Sequence, residues 1–404
     1  MPIEILHLVY GHYPADSRVR RELSALRSTG RRCAVIAVRQ AGERTTQSVD
    51  GVVVIRVPGR KSRGGFLSYL IEYGDFILRC RKLVASHRAL GNVQVVHVHT
   101  LPDFLLWAAL PARRRGARLV FDMHEIFPEF ARAKFRGVAG AIAGSIAERI
   151  ERWARRRADL TITVNRPIDQ LLASRGPATE RRIIVHNTAD PGDFGQRPPA
   201  PATPSQPLRF VYHGTLTYMY GLDVAIRGVA EAAGHPEFTV IGDGPERRRL
   251  IELARALGPE RIHVEGPISH RELAVRLPTY HAGIVPTRLD VMTRYSLSTK
   301  LLEYVHLEIP VLAARLPSYQ SYFGDDALWY WDPGDPSDLA RVIARFAATS
   351  PAQRTARARR AREVIAPLAW SRQREVLLAA YAELLTGDGS AKIAAMRPAA
   401  LPSP

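Results

Sequence analysis

The chain has 404 residues, 46% hydrophobic and 24% charged, which fits about two or three globular domains with well-buried cores. Two cysteines, Cys33 and Cys80, are too few for a disulfide framework and lack the neighbours of a metal or redox pair, so a reducing, cytoplasmic compartment is expected. Basic residues outnumber acidic ones by 57 to 39, and residues 1–190 alone hold 32 against 17; such a half is either a solvated basic surface or one that attracts nucleic acid or an anionic membrane leaflet.

The N-terminus, Met1-Pro-Ile-Glu-Ile-Leu-His7, reads as a first strand and not as a targeting segment. No apolar run is long enough to span a bilayer. Strand-like runs follow at 3–9, 33–38, 52–57, 93–98, 119–122 and 160–164, with helical periodicity at 17–29, 66–89, 103–114 and 138–157. That alternation predicts a parallel sheet covered on both faces by helices. Ligands of such sheets bind beyond the carboxyl ends of the strands, so the residues just after each strand are the ones to read for chemistry.

After the first strand, Pro14 and Asp16 form a turn and a helix cap, with Arg18 near the helix start. Capping accounts for Asp16, and binding of an acceptor is the sharper alternative for both residues. Past the fourth strand, His97 and His99 alternate and so point the same way. They are a hydrogen-bonded pair or two metal ligands, and no third ligand stands at a convincing spacing. His124, in Phe121-Asp-Met-His-Glu125, sits at the carboxyl edge of the fifth strand, where a reacting group belongs. The basic half contains no basic-aromatic reading motif, so nucleic acid is not expected as a partner.

Prolines 191, 198, 199, 201, 204 and 207 mark a semi-stiff linker over 191–207. A second alternating unit follows. Its strands are predicted at 208–213, 237–241, 261–264, 281–285, 309–313 and 327–330, and its helices at 221–233, 245–256, 270–277, 296–306, 336–347 and 351–365. Glycine turns open after its first two strands, at Gly214-Thr215 and at Gly242-Asp243-Gly244; the second fails as a dinucleotide fingerprint because Arg247 stands at its last glycine position.

The stretch Ser296–Ala314 is the centre of this half. Hydroxyl residues, Ser298 and Thr299 among them, open a helix whose stripe is Leu301, Leu302 and Val305, and Pro310 stops it before a buried strand. Free N–H groups and the dipole at such a helix start suit an anion. Lys300 and Glu303 lie on one face of its first turns. Together they suit a nucleoside diphosphate, with Lys300 on phosphate and Glu303 on the ribose hydroxyls; an ordinary capped helix with a surface ion pair is the plainer alternative.

These motifs in this order resemble the retaining glycosyltransferases of family 4. The matching segments are Asp16-Ser-Arg-Val19, Phe121-Asp-Met-His-Glu125, Val185-His-Asn-Thr-Ala-Asp190, Gly242-Asp-Gly-Pro245, Glu265-Gly-Pro-Ile268 and Ser296-Leu-Ser-Thr-Lys-Leu-Leu-Glu-Tyr304. The resemblance implies an α/β GT-B fold, two Rossmann-like parallel-sheet domains facing each other across a cleft. Residues 1–190 would be the acceptor domain and 208–369 the nucleotide-sugar domain. A helix at 370–386 would return to the first domain, ahead of a disordered tail at 387–404.

By resemblance, His124, Lys300 and Glu303 are catalytic. Gly214, Thr215, Gly242, Asp243, Gly244, Pro267, Ile268, Ser298 and Thr299 hold the donor, while Asp16, Arg18 and His99 face the acceptor. The implied reaction moves a sugar from a nucleoside-diphosphate donor, as co-substrate, to a saccharide or lipid-linked acceptor, with no cofactor and no catalytic metal. Polysaccharide or glycolipid assembly at the inner membrane face is the implied setting, with the basic half on an anionic surface. Three positions depart from the family pattern. Tyr295 stands in place of a first Glu, and Thr215 and Tyr220 in place of a diphosphate-gripping Arg and Lys, for which Lys300, aided by Arg288 and Arg294, is the expected substitute. A non-catalytic GT-B scaffold and a GT-B sugar-nucleotide epimerase are the alternatives.

Overall fold

The computed structural model describes residues 2–59, 66–135, 137–176, 181–189 and 207–386. These divide into two units: one runs to Asn187 and resumes at Gln373, and the other runs from Thr188 to Arg372. Linker residues 191–206 and the tail from 387 lie outside the described residues.

Eight strands form the sheet of the first unit: β1 (Ile5–Leu8), β2 (Cys33–Arg39), β3 (Thr46–Val49), β4 (Val52–Pro58), β5 (Val95–His99), β6 (Arg118–Met123), β7 (Leu160–Thr163) and β8 (Arg181–Ile184). Their order is β3-β4-β2-β1-β5-β6-β7-β8, parallel throughout except for β3 against β4. The central strands β1, β5 and β7 are buried along their whole length. That burial is why β1 and β5 are apolar apart from their histidines. Register then sets the chemistry: His7 pairs with His97 across β1 and β5, and His99 with Asp122 across β5 and β6. The final helix, Trp370–Thr386, closes this unit's core through Tyr381, which is buried and hydrogen-bonded to His97 at 2.6 Å.

The second unit carries β9 (Arg209–His213), β10 (Glu237–Ile241), β11 (Ile262–Glu265), β12 (Ala282–Val285), β13 (Val311–Ala314) and β14 (Trp329–Trp331). All are parallel, in the order β11-β10-β9-β12-β13-β14. One core lies against each face. Leu301, Leu302, Val305 and Tyr319 belong to one, and Ile226, Val229, Leu339 and Phe346 to the other.

Boundaries differ from the sequence expectation in places with identifiable causes. The helix expected from 296 begins at Thr299, because Thr293–Tyr295 forms a separate 3-10 turn and Ser296 is extended. It ends at His306, as expected, but the chain is turned into β13 by Glu308 in the left-handed region (φ 52°), ahead of Pro310. The elements not expected include β3, β8 and the helices Phe127–Phe135 and Arg166–Ser174. Each is short, and the two helices carry a proline in their first turn, a start signal that reads equally well as a loop.

Gly283 in β12 lies so close to the fully buried Tyr304 that a Cβ there would overlap the ring. Gly283→Ala should therefore cost about 1–3 kcal/mol through overpacking. Denaturant titration checks this, and an unchanged midpoint would refute the close packing.

Candidate functional site

At the centre of the first unit, a carboxylate is held by one guanidinium and surrounded by imidazoles. Asp16 caps the helix Ser17–Arg27, accepting from the Arg18 and Val19 N–H groups at 3.1 and 3.2 Å. The cap aims Arg18 inward. Its Nε and Nη2 donate to Asp122 at 3.1 and 2.9 Å, Nη1 donates to the Val185 carbonyl at 2.9 Å, and Nε lies 3.1 Å from Glu22. Around Asp122 stand His99 at 3.1 Å, His124 at 2.8 Å and His97 at 3.4 Å, and His99 passes the network to His7 at 2.8 Å.

Electrostatics sort these groups. Burial alone would raise the Asp122 carboxyl, but Arg18 and then His124 hold it well below the usual carboxylate range. Burial likewise opposes charge on His124, yet Asp122 outweighs it and raises the imidazole's pKa. For His7 and His99, burial and then the neighbouring imidazoles push the pKa far down, so both are neutral. Among the described residues, His7, Glu22, His97 and His99 bring potential metal-ligand atoms within 4.8 Å of one another. Two features work against a cation there. The Arg18 guanidinium already pairs with Glu22 and Asp122 and would repel a second cation. The rings are also stacked, His7 on His97 at 29° and His97 on His99 at 15°, so their in-plane lone pairs do not converge.

Of this cluster, His124 alone reaches the surface, with 19% of its side chain exposed. It can present an imidazole whose charge is tuned from behind by Asp122. Arg18 and His99 are buried and committed to internal partners. They position Asp122 and His124 and are not offered to an acceptor, which corrects the sequence expectation. Asp16 has the capping duty, with its side chain half-buried.

In the second unit the donor-side residues cluster at the carboxyl ends of three adjacent strands: Gly214 and Thr215 after β9, Gly242, Asp243 and Gly244 after β10, and Pro267 and Ile268 after β11. Gly214 (φ 121°) and Gly242 (φ 152°) adopt backbone that other residues avoid, and a Cβ on Gly242 would overlap the Gly214 carbonyl. The two turns therefore nest. A Cβ on Gly214 would strike the Lys300 side chain, which places the Lys300 stem against that bare backbone. Thr215, Asp243 and Pro267 are exposed, and Ile268, Ser298 and Thr299 are half-buried.

Lys300 is 9% exposed. Its ammonium lies 4.2 Å from the Tyr220 ring centroid and 5.6 Å from that of Tyr212. Burial lowers its pKa, with the Glu303 charge opposing. Glu303 lies 3.1 Å from His213 Nε2, and burial followed by the Lys300 charge pushes His213 down to about 3. Ser298 is the cap residue of the helix Thr299–His306 but makes no side-chain hydrogen bond to it. The sequence reading of a hydroxyl-capped start is corrected accordingly. Nearby, the Ser318 hydroxyl fixes the preceding loop by donating to the Ser296 carbonyl at 2.7 Å.

Residues 15–188 match the family described as glycosyl transferase 4-like domain, and residues 207–349 match the glycosyl transferases group 1. The chain belongs to the GT4-like group 1 glycosyltransferases. Its fold is GT-B. A sucrose-phosphate synthase from Thermosynechococcus elongatus superposes with a TM-score of 0.77 at 16% identity, over 96% of this chain and 100% of that one. A glycosyltransferase from Rickettsia africae gives 0.68 at 14% identity, over 96% and 100%. Anabaena HepE, solved in complex with UDP-glucose, gives 0.69 at 13% identity, over 94% and 100%. No curated protein matches the sequence.

Within this glycosyltransferase, the departures from the family pattern acquire a geometry. Tyr220, where a cation was expected, supplies the aromatic face over which Lys300 lies. Arg288 is not a helper, since Asp223 holds it at 2.7 and 2.8 Å. Arg294 is exposed, with its guanidinium 5.6 Å from the Tyr295 ring centroid. Sequence reading missed His7, Glu22 and Tyr381. A lone histidine inside the apolar run Ile5–Leu8 was the available signal, because an imidazole buried on a strand requires polar company.

Five histidines have their pKa lowered by burial: His7, His99, His186 (to about 4), His213 and the half-buried His281. Below about pH 6.5 the unfolded chain binds protons that these groups refuse, so stability falls as pH falls, by up to about 1.4 kcal/mol per pH unit for each histidine. His124, with its raised pKa, and the carboxyls of Glu22, Asp103, Glu125 and Glu151, raised by burial, add stability on the acid side and oppose this trend. The site-resolved readout is histidine titration by NMR, in which His186 and His213 should still be neutral at pH 5. Protonation of either at that pH would contradict the neutral cluster.

Proposed function

We propose that this glycosyltransferase moves a sugar from a nucleoside-diphosphate donor to a saccharide or lipid-linked acceptor, with retention at the anomeric carbon. The observation that carries the reading is Lys300, a cation buried against the bare backbone of Gly214 at the helix start of Thr299–His306. When the sugar departs, charge builds on the leaving diphosphate oxygen. A fixed ammonium and oriented backbone N–H groups in a site of low dielectric stabilise that charge without reorganising. Lys300 thus takes the place of the cations missing at Thr215 and Tyr220, and the reaction runs with no resident cofactor or catalytic metal in this reading.

Glu303, facing the neutral His213, is placed to accept from ribose hydroxyls. Family resemblance assigns the transferred sugar to His124, through its imidazole or its backbone carbonyl. The acceptor hydroxyl would lose its proton to the departing phosphate. HepE, complexed with UDP-glucose, supports a nucleotide-sugar donor. The excess of basic residues in 1–190 supports work at an anionic membrane surface, in polysaccharide or glycolipid assembly. No helix among the described residues is long and apolar enough to cross a membrane.

Lys300→Ala and Glu303→Ala should each lower kcat by about two to three orders of magnitude while leaving the circular dichroism spectrum unchanged; near-normal turnover in both variants removes the site. Calorimetry with UDP- and GDP-sugars tests the donor. Absence of binding to any nucleotide sugar would favour a non-catalytic scaffold, and release of free sugar without an acceptor would favour an epimerase. Flotation with anionic liposomes at low salt should recover the protein, and added salt should release it.

A further inference from the structure

The loops that follow β5 and β6, just past His99 and at His124, lead into an apolar groove of the first unit. Phe104 lies in the 3-10 turn that follows β5, and Phe127 begins a helix three residues after His124. These two, with Phe130, Phe135, Ile146 and Ile150, wall a groove that encloses about 100 Å³ and opens to solvent. Among the described residues of the lining, Lys134 and Tyr73 alone carry polar groups. The groove exists because two consecutive helices, Phe127–Phe135 and Gly137–Arg155, pack closely: Gly140 and Gly144 lie where any Cβ would strike the Arg132 backbone or side chain.

Its mouth continues onto an exposed stripe at four-residue spacing, Val138 (78% exposed), Ile142 (57%) and Ile146 (51%). One face of the helix Gly137–Arg155 is thus apolar and open to solvent. Basic residues border the same surface. Lys134 stands over the Phe130 ring, 5.4 Å from its centroid, and Arg149 and Arg152 are exposed farther along the helix. A lining this poor in polar groups offers nothing to a sugar ring or a peptide backbone. An apolar slot rimmed by cations complements a hydrocarbon tail joined to an anionic head.

We propose that this groove binds the hydrocarbon chain of the acceptor, a lipid with a phosphate-bearing head, with Lys134 at the head and the Val138–Ile146 stripe resting in the surrounding bilayer. The assignment deepens, and rests on, the lipid-linked acceptor of the reading above. It places the chain beside the loop of His124, so that the groove sets which acceptors are taken while the polar residues act on the sugar.

Binding of alkyl phosphates to the full-length protein, each kept below its micelle concentration and followed by calorimetry, tests the assignment. Affinity should rise about fourfold per added methylene until the groove is full. Ala143→Trp, which occupies the groove, and Ile146→Ser, a change at an exposed position, should each lower the affinity of the longest chain at least tenfold, with circular dichroism and UDP binding unchanged. A photoreactive alkyl phosphate should label Phe104, Phe127 or Ile146. Equal affinity for butyl and dodecyl phosphate would overturn the proposal, as would undiminished binding in both variants. A wild-type dimer that Ala143→Trp makes monomeric would give the groove to a second copy and overturn it too. Chain-dependent binding by a protein that takes no nucleotide sugar would leave the groove standing and remove only the glycosyl-transfer reading.

Discussion

The ion pair of Arg18 with Asp122 is the constraint on which the first unit depends. Both side chains are buried, and leaving either without the other would strand a charge in the core, a penalty of several kcal/mol. With the pair intact, Asp122 remains ionised and acts as the common partner of His97, His99 and His124. The charge state of His124 is therefore decided several residues away, by the cap that Asp16 places on the first helix and by the carbonyl of Val185 that fixes the guanidinium. The charge on His124 and the stability of the core thus depend on the same atoms.

The second unit handles charge in another way. It buries a lone lysine among aromatic faces and glycine backbone, where an ammonium is destabilised by desolvation and supported by the nearby Glu303. A cation in that state gains more from an incoming diphosphate than a solvated one would, because its dehydration has already occurred during folding. The same glycines that nest the two turns leave the backbone bare on the side from which a ligand would come.

Much of this was legible in the chain, for physical reasons that differ from site to site. The doubly alternating pattern announced two parallel sheets, because strands buried on both faces leave continuous apolar runs such as Cys33–Val38. The element Ser296–Tyr304 was readable because hydroxyls, a cation and a carboxylate at helical spacing before a buried strand are few-fold constrained by the backbone. What stayed hidden depends on register and on distant parts of the chain. Nothing local to His7 or Glu22 says that they meet across β1, β5 and the first helix, and Tyr381 lies 284 residues from its partner His97. Arg18 was misjudged for the same reason: a surface arginine near a cap and a buried one look alike until the fold supplies Asp122. The helix Phe127–Phe135 was lost because Pro128 and its charged neighbours read as loop, and with it went the apolar groove.

The return of the helix Trp370–Thr386 to the first unit has a bearing on how the protein is made. A nascent chain leaves the ribosome with the whole of Thr188–Arg372 ahead of Tyr381, so the middle of the message can finish folding before its beginning does. Until then the imidazole of His97 waits without its phenol, and an incomplete core stays wet. Synthesis order thus makes the first-born sheet the last to be sealed.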